Sequence, residues 1–255
     1  MQAIILAAGK GSRLKHLTAD RPKPLVAVKG IPMLGRTITS LLKIPEITEI
    51  IIMTGHMSQN INNYIQDNFP SSKIKLVFND NYQAGTVITV CKAEQAINNN
   101  FLLLNADHLF SYKAYQRLIQ QSTESNLTFS SFRDRKPLDN ETKISLNLDN
   151  SFEMSKNLEN YDCGYPGLAV VSKEYIPEFF EEARKFIESD GEAVFLEQLL
   201  AIISKKTTTR ECDISDLSFI KVDTPDDHSY AESKIVDLEL EEEEKVYENG
   251  KNTYN

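Results

Sequence analysis

Short apolar runs and longer amphipathic stretches take turns along the chain, and their order predicts its elements. Ala3-Ile4-Ile5-Leu6 reads as a buried strand running into a glycine-containing loop. Residues 31–44 begin with a proline suited to a first helical turn and keep helical spacing through Leu41, Leu42 and Ile44. A β-branched run over 47–55 is the next buried strand, and 57–69 the next helix. Strand 73–80, helix 86–97, strand 100–107 and helix 112–122 continue the alternation. One strand and one helix every twenty-odd residues is the pattern of βαβ units on a parallel sheet covered on both faces. The first half therefore reads as a doubly wound α/β fold.

Near residue 127 the pattern changes. Residues 127–135 are strand-like, and Ile144, Leu146 and Leu148 alternate before a turn signal at Asp149-Asn150, so 143–155 reads as a hairpin. Residues 127–165 are expected to contribute a small antiparallel portion. Residues 164–172 form one more apolar strand, 176–187 and 192–203 two amphipathic helices, and 218–222 a last strand. Six acids between Asp237 and Glu244 mark 237–255 as a helix end fraying into a solvated acidic tail, which leaves 1–236 as a single domain.

Composition narrows the function. At 255 residues and 41% hydrophobic, the chain can bury a full core. No apolar run approaches the ~20 residues of a membrane span, and no signal sequence is visible, so a soluble, cytoplasmic protein is expected. Cys91, Cys163 and Cys212 are odd in number and widely spaced, suggesting buried thiols and neither disulfides nor zinc. The net charge of −9 argues against a nucleic-acid partner. Its distribution says more: residues 1–36 hold seven cations against Asp20 alone, a net +6, while the remainder carries −15. Focused positive charge around one glycine loop suits a small polyanion. A homodimer is open to such a chain, although no heptad seam or exposed apolar stripe marks an interface.

The loop itself is Gly9-Lys10-Gly11-Ser12-Arg13. It lacks the GxxxxGK[ST] spacing of a Walker loop, and Leu14 stands where a dinucleotide fingerprint needs its third glycine. "LAAGKGSRL", the "RPKPLV" that places Lys23 ten residues after Arg13, and two later aspartates in order together resemble the signature of nucleotidyltransferases that make NDP-sugars and CDP-alcohols. The resemblance runs over nearly the whole chain. It implies an α/β, Rossmann-like fold with a mixed, mostly parallel sheet flanked by helices and a small antiparallel substrate-binding portion. It also implies transfer of the NMP part of an NTP to a sugar- or polyol-phosphate, such as inositol 1-phosphate, with release of pyrophosphate.

Residue by residue, the resemblance places Leu6, Ala7, Ala8 and Gly9 against base and ribose. Gly11, Ser12 and Arg13 would wrap the triphosphate, and Lys23 would reach the α-phosphate, making Arg13 and Lys23 the catalytic cations. Glycines let backbone N–H groups approach oxyanions, and the two cations offset charge that accumulates in the transition state. Asp107, at the predicted end of an apolar strand, and Asp223, within "KVDTPDD" resembling the family's "DVDTPEDL", would be the two carboxylates of a Mg²⁺ site. Capping of the helix that starts near Pro225 is the structural alternative for Asp223, and Asp226 and Asp227 fit its first turn. His16, His56 and His228 form no metal-ligand spacing, and His108 is a bystander or a contact to metal or substrate.

Gly85 and Thr86 are the candidates beside the base. "NADHL" resembles the "SDH" of CTP:inositol-1-phosphate cytidylyltransferases, which favours CTP as donor. On the acceptor side, "MSKNLENYDCG" resembles a segment that would let Lys156 grip the acceptor phosphate, Asp162 a hydroxyl and Gly164 approach closely, although Cys163 replaces the family's threonine. Phosphocholine cytidylyltransferases rank second, since the aromatic faces of a choline cage are not evident beyond Phe110 and Tyr112. Sugar-1-phosphate uridylyl-, guanylyl- and thymidylyltransferases are further alternatives. In a different class, a regulatory nucleotide-binding protein that has lost catalysis predicts loss of Arg13, Lys23 or an aspartate; all four are present.

Overall fold

The computed structural model describes residues 1–235. Seven strands form one sheet in the order Thr209–Asp213, Leu127–Ser131, Leu168–Val171, Phe101–Asn105, Gln2–Leu6, Glu49–Thr54, Ile74–Phe78. Leu168–Val171 is antiparallel to both neighbours, and every other pairing in this sheet is parallel. This is the mixed, mostly parallel α/β architecture expected.

Period-two alternation divides the core into two layers. Ile4, Ile51, Met53 and Leu103 point to a face covered by helices Thr86–Cys91, Ile176–Asp190 and Leu196–Ser204, through Val90, Phe179, Phe180 and Leu200. Ile5, Ile50, Ile52 and Leu104 point to the other face, covered by Met33–Leu42, Ser58–Asn68 and Tyr112–Gln121 through Leu34, Ile38, Ile61 and Leu118. A third cluster of Leu14, Val26, Met33, Leu109, Ile220 and Val222 lies under the glycine loop and pins it to the antiparallel pair His108–Phe110 and Phe219–Lys221. This small core positions the site.

Three departures from the sequence pattern have physical causes. Leu127–Ser131, assigned to the antiparallel portion, joins the large sheet parallel to Thr209–Asp213; the three-stranded antiparallel sheet comprises Phe152–Ser155, Thr142–Leu146 and Cys163–Tyr165. The single strand expected over 164–172 is two. Pro166, without an N–H, and Gly167, at φ 103°, break the run, so Cys163–Tyr165 stays in the small sheet while Leu168–Val171 enters the large one. Thr209–Asp213 escaped notice because an edge strand with exposed Arg210 and Asp213 has no apolar run. Among the described residues no helix is long and apolar enough to cross a membrane. The expected acidic tail, 237–255, lies outside the described residues.

Candidate active site

Strand Gln2–Leu6 ends where Ala7 N–H bonds the Met53 carbonyl, and the chain then crosses the carboxyl edge of the sheet, where the Ala8 carbonyl accepts from His56 N–H. Ligands of open α/β sheets gather at this edge. Gly11 turns at φ 66°, and a Cβ there would lie 2.4 Å from Lys23 Cβ, so glycine is what lets the two segments touch. Lys23 stands between Pro22 and Pro24 in a short turn closed by Leu25 N–H to the Pro22 carbonyl. The flanking prolines fix the backbone that aims its side chain inward.

Lys23 is 9% exposed, and its ammonium donates to Asp107 Oδ2 at 2.7 Å and to Asp223 Oδ1 at 2.7 Å. Burial acts to lower the Lys23 pKa, but Asp107 and Asp223 more than reverse it and the net shift is upward. At Asp107 burial pushes the carboxyl up, and Lys23, then His108, pull it well below the usual range. His108 Nδ1 lies 2.7 Å from Asp107 Oδ1, and Arg13 Nη1 lies 2.7 Å from Asp223 Oδ2. Two carboxylates and two cations thus interlock beneath the loop.

Asp223 reaches this position because it does not cap the following helix. Residues 225–235 are helical, and Thr224 does the capping: its Oγ1 accepts from Asp227 N–H, while Asp227 Oδ2 accepts from the N–H groups of Thr224 and Asp223. The capping alternative for Asp223 is thereby excluded, and Asp227 takes the first-turn place expected of it.

A cleft of about 380 Å³ opens over the cluster. Leu6, Ala7, Ala8, Gly9, Gly11, Ser12, Arg13, Lys23, Thr86, Asp107, Lys156 and Asp223 all line it, as the sequence pattern anticipated. Three anticipated residues do not. Gly85 packs against the 192–194 segment, its N–H bonded to the Glu192 carbonyl, and a Cβ there would lie 1.9 Å from the Val194 carbonyl oxygen. Asp162 spends Oδ2 on the Leu146 N–H at 2.8 Å, bracing the small sheet. Gly164 sits in that sheet against Phe132, whose Cζ lies 2.2 Å from where a Cβ would be. Each is a packing or bracing residue.

Sequence reasoning missed Glu141, Tyr165, Phe195, Glu197 and Lys221, which line the same cleft from four separate segments. Only the fold brings these together; the one local signal was the "YPG" break after Gly164. Glu141 is held by both nitrogens of the Arg135 fork and by Leu138 N–H, and that guanidinium rests 4.5 Å from the Phe132 ring centre. Lys221 Nζ donates to the Asn140 carbonyl at 3.0 Å, 4.0 Å from Asp223 Oδ2. Burial lowers its pKa, partly offset by Asp107 and Asp223.

With this geometry in place, a family model described as nucleotidyl transferase matches residues 2–143, more than half of the chain. The chain belongs to the nucleotidyl transferase family. A relative, the bifunctional IPC transferase and DIPP synthase of Rubrobacter xylanophilus, is 27% identical over 239 residues, covering 92% of this chain and 52% of that protein. Over a shorter stretch of 110 residues, the bifunctional protein GlmU of Methanococcus maripaludis is 36% identical, covering 43% of this chain and 25% of that protein. The chain spans about half the length of the first of these relatives. Among solved structures, the inositol-1-phosphate CTP transferase of T. maritima matches with a TM-score of 0.77 at 20% identity, covering 92% of this chain and 95% of that one. The CTP:phosphocholine cytidylyltransferase of Streptococcus pneumoniae matches at 0.73 and 22%, covering 92% and 98%. At these identities the likeness is one of fold.

In this member of the family, the donor set fits a hard divalent cation. Asp107 and Asp223 direct one oxygen each at a single point, now taken by the Lys23 ammonium. Asp223 Oδ2 is buried and faces the Arg13 guanidinium at 2.7 Å without a hydrogen bond of good geometry, which leaves it free to take a further ligand. Among the described residues no group of three or more His, Cys, Asp or Glu side chains is placed to hold a metal. Two carboxylates completed by water and phosphate oxygens suit Mg²⁺, which rarely uses an all-protein cage.

Proposed function

We propose that this protein transfers the NMP part of an NTP, with CTP as the donor, to a small phosphorylated acceptor and releases pyrophosphate. One observation carries the reading: Arg13, Lys23, Asp107 and Asp223 form one ion-pair cluster lining a cleft that Leu6 to Ser12 also line. CTP is supported by the "NADH" stretch and by the names of the T. maritima and S. pneumoniae proteins, whose acceptors are inositol 1-phosphate and phosphocholine.

The acceptor supplies its own nucleophile. A phosphate monoester has a second pKa of about 6 and is largely a dianion at neutral pH, so one of its oxygens attacks the α-phosphorus without a general base. As that bond forms, the bond from the α-phosphorus to the bridging oxygen breaks, and its electron pair leaves with pyrophosphate. Loop N–H groups around Gly9 and Gly11 hold the triphosphate, while Arg13 and Lys23 neutralise charge gathering on the phosphoryl oxygens. Asp107 and Asp223 are the residues that would hold Mg²⁺, which when bound supplies positive charge between two anions that otherwise repel. Lys156 and Lys221, which line the same cleft, grip the acceptor phosphate.

A pyrophosphate-release screen of four NTPs against inositol 1-phosphate, phosphocholine, glycerol phosphate and sugar 1-phosphates, with Mg²⁺ present, tests the proposal. CTP with one of these acceptors is expected to give the largest rate. Nucleotide binding without pyrophosphate from any pair would make the chain a nucleotide-binding regulator instead.

A further inference from the structure

The acceptor half of the cleft has an uneven distribution of charge. Lys156 and Lys221 both line it and bring two positive charges to the same cleft. Tyr165, Phe195 and Glu197 line the same cleft. Of the acids that line the cleft, Asp107 is held by Lys23 and His108, Asp223 by Lys23 and Arg13, and Glu141 by Arg135. Glu197 differs: among the described residues it makes no hydrogen bond or ion pair, and its charge acts on the phenol of Tyr165, which burial and then Glu197 keep well above its ordinary pKa. Phe195 leaves 54% of its surface exposed at the cleft, unusual for a large apolar side chain. A first-turn carboxylate on the helix Leu196–Ser204 gains from the helix dipole wherever it points. That gain accounts for neither the two aromatic neighbours nor the lack of a partner inside a cleft.

Resting on the nucleotidyl-transfer reading, we infer that the acceptor is a zwitterion. Its phosphate or phosphonate lies on Lys156 and Lys221, and its ammonium group is received by the Glu197 carboxylate against the Tyr165 and Phe195 rings. An unpaired carboxylate beside aromatic surface is a cation receptor. A polyol phosphate fits this wall poorly, because hydroxyls pressed on Tyr165, Pro166 and Phe195 lose water without gaining partners. Primary ammonium and quaternary ammonium share the chemistry, and the test includes both.

The test measures CTP- and Mg²⁺-dependent pyrophosphate release with phosphocholine, phosphoethanolamine, inositol 1-phosphate and 3,3-dimethylbutyl phosphate, the uncharged carbon isostere of phosphocholine. One of the two ammonium acceptors is expected to exceed the isostere in kcat/KM by roughly tenfold or more. Glu197→Gln is expected to raise the KM for that acceptor by a similar factor, with the KM values for CTP and the isostere unmoved. Phe195→Ala, which removes a side chain that is 54% exposed, is expected to raise the same KM. Faster turnover of inositol 1-phosphate than of both ammonium acceptors, or a Glu197→Gln protein equal to wild type on them, overturns the inference and leaves nucleotidyl transfer standing. Absence of pyrophosphate with every acceptor overturns both.

Discussion

Gly9 lines the cleft and Gly85 packs beside Thr86 outside it, and the space above the two differs. A Cβ on Gly9 would meet nothing within 4 Å, whereas one on Gly85 would run into the Val194 backbone at 1.9 Å. Gly85→Ala is therefore expected to lower the melting temperature, by the equivalent of roughly 1–3 kcal/mol for overpacking. Gly9→Ala should keep the fold and raise the KM for nucleotide; equal melting temperatures for the two variants would contradict this assignment. Lys23→Met should cut turnover about a hundredfold or more, in the range of losing one transition-state donor, while circular dichroism stays native. Arg13 and His108 still face the two carboxylates in that variant. Glu141 gives a pH signature: burial pushes its carboxyl up, but Arg135 and the Leu138 N–H pull it below its ordinary value. A depressed carboxyl adds stability above the unfolded pKa of about 4.3 and loses it as pH falls through the lower folded value. Glu141→Gln should thus lower the melting temperature at neutral pH and show a shallower loss between about pH 5 and pH 3 than wild type. At this scale the loop, Lys23 and the two aspartates were legible because each stands in a short local motif, although Asp107 and Asp223 lie 84 and 200 positions from Lys23. Asp162 and Gly164 misled because a hydrogen bond to Leu146 and contact with Phe132 explain them equally well in sequence.

Among the elements, the helix that begins after Thr224 decides where Asp223 points. Thr224→Ala removes one half of a reciprocal cap and should cost about 1 kcal/mol, while Thr224→Ser should restore it. Because Asp227 also holds the Asp223 N–H, the alanine variant is expected to lose turnover by more than its small change in melting temperature implies. Hydrophobic alternation revealed the parallel strands and the helices over both faces, since each element there buries a continuous apolar stripe. It failed where tertiary context overrides local pattern: at the edge strand Thr209–Asp213, and where Gly167 sends one apolar run into two sheets.

For the molecule as a whole, the asymmetry of charge has a kinetic consequence. A +6 segment on an otherwise acidic chain should speed capture of a triphosphate at low salt. Raising ionic strength from about 0.1 to about 1 M shortens the screening length from about 10 to about 3 Å, so kcat/KM for CTP should fall several-fold. The acceptor wall was illegible in sequence because segments near 141, 165 and 195 become neighbours only through the small sheet and its crossing into the large one. One long-range contact reaches further. Lys23 bonds Asp223 across 200 positions, and Asp107 is clamped by the Val222 N–H that its carbonyl receives. A nascent chain leaving the ribosome can therefore lay down every strand of the large sheet with Lys23 paired to Asp107 alone, before the second carboxylate, Asp223, has been made. Synthesis runs almost through the described length before the centre closes, so an interrupted translation product has a sheet but no working site with which to consume nucleotide.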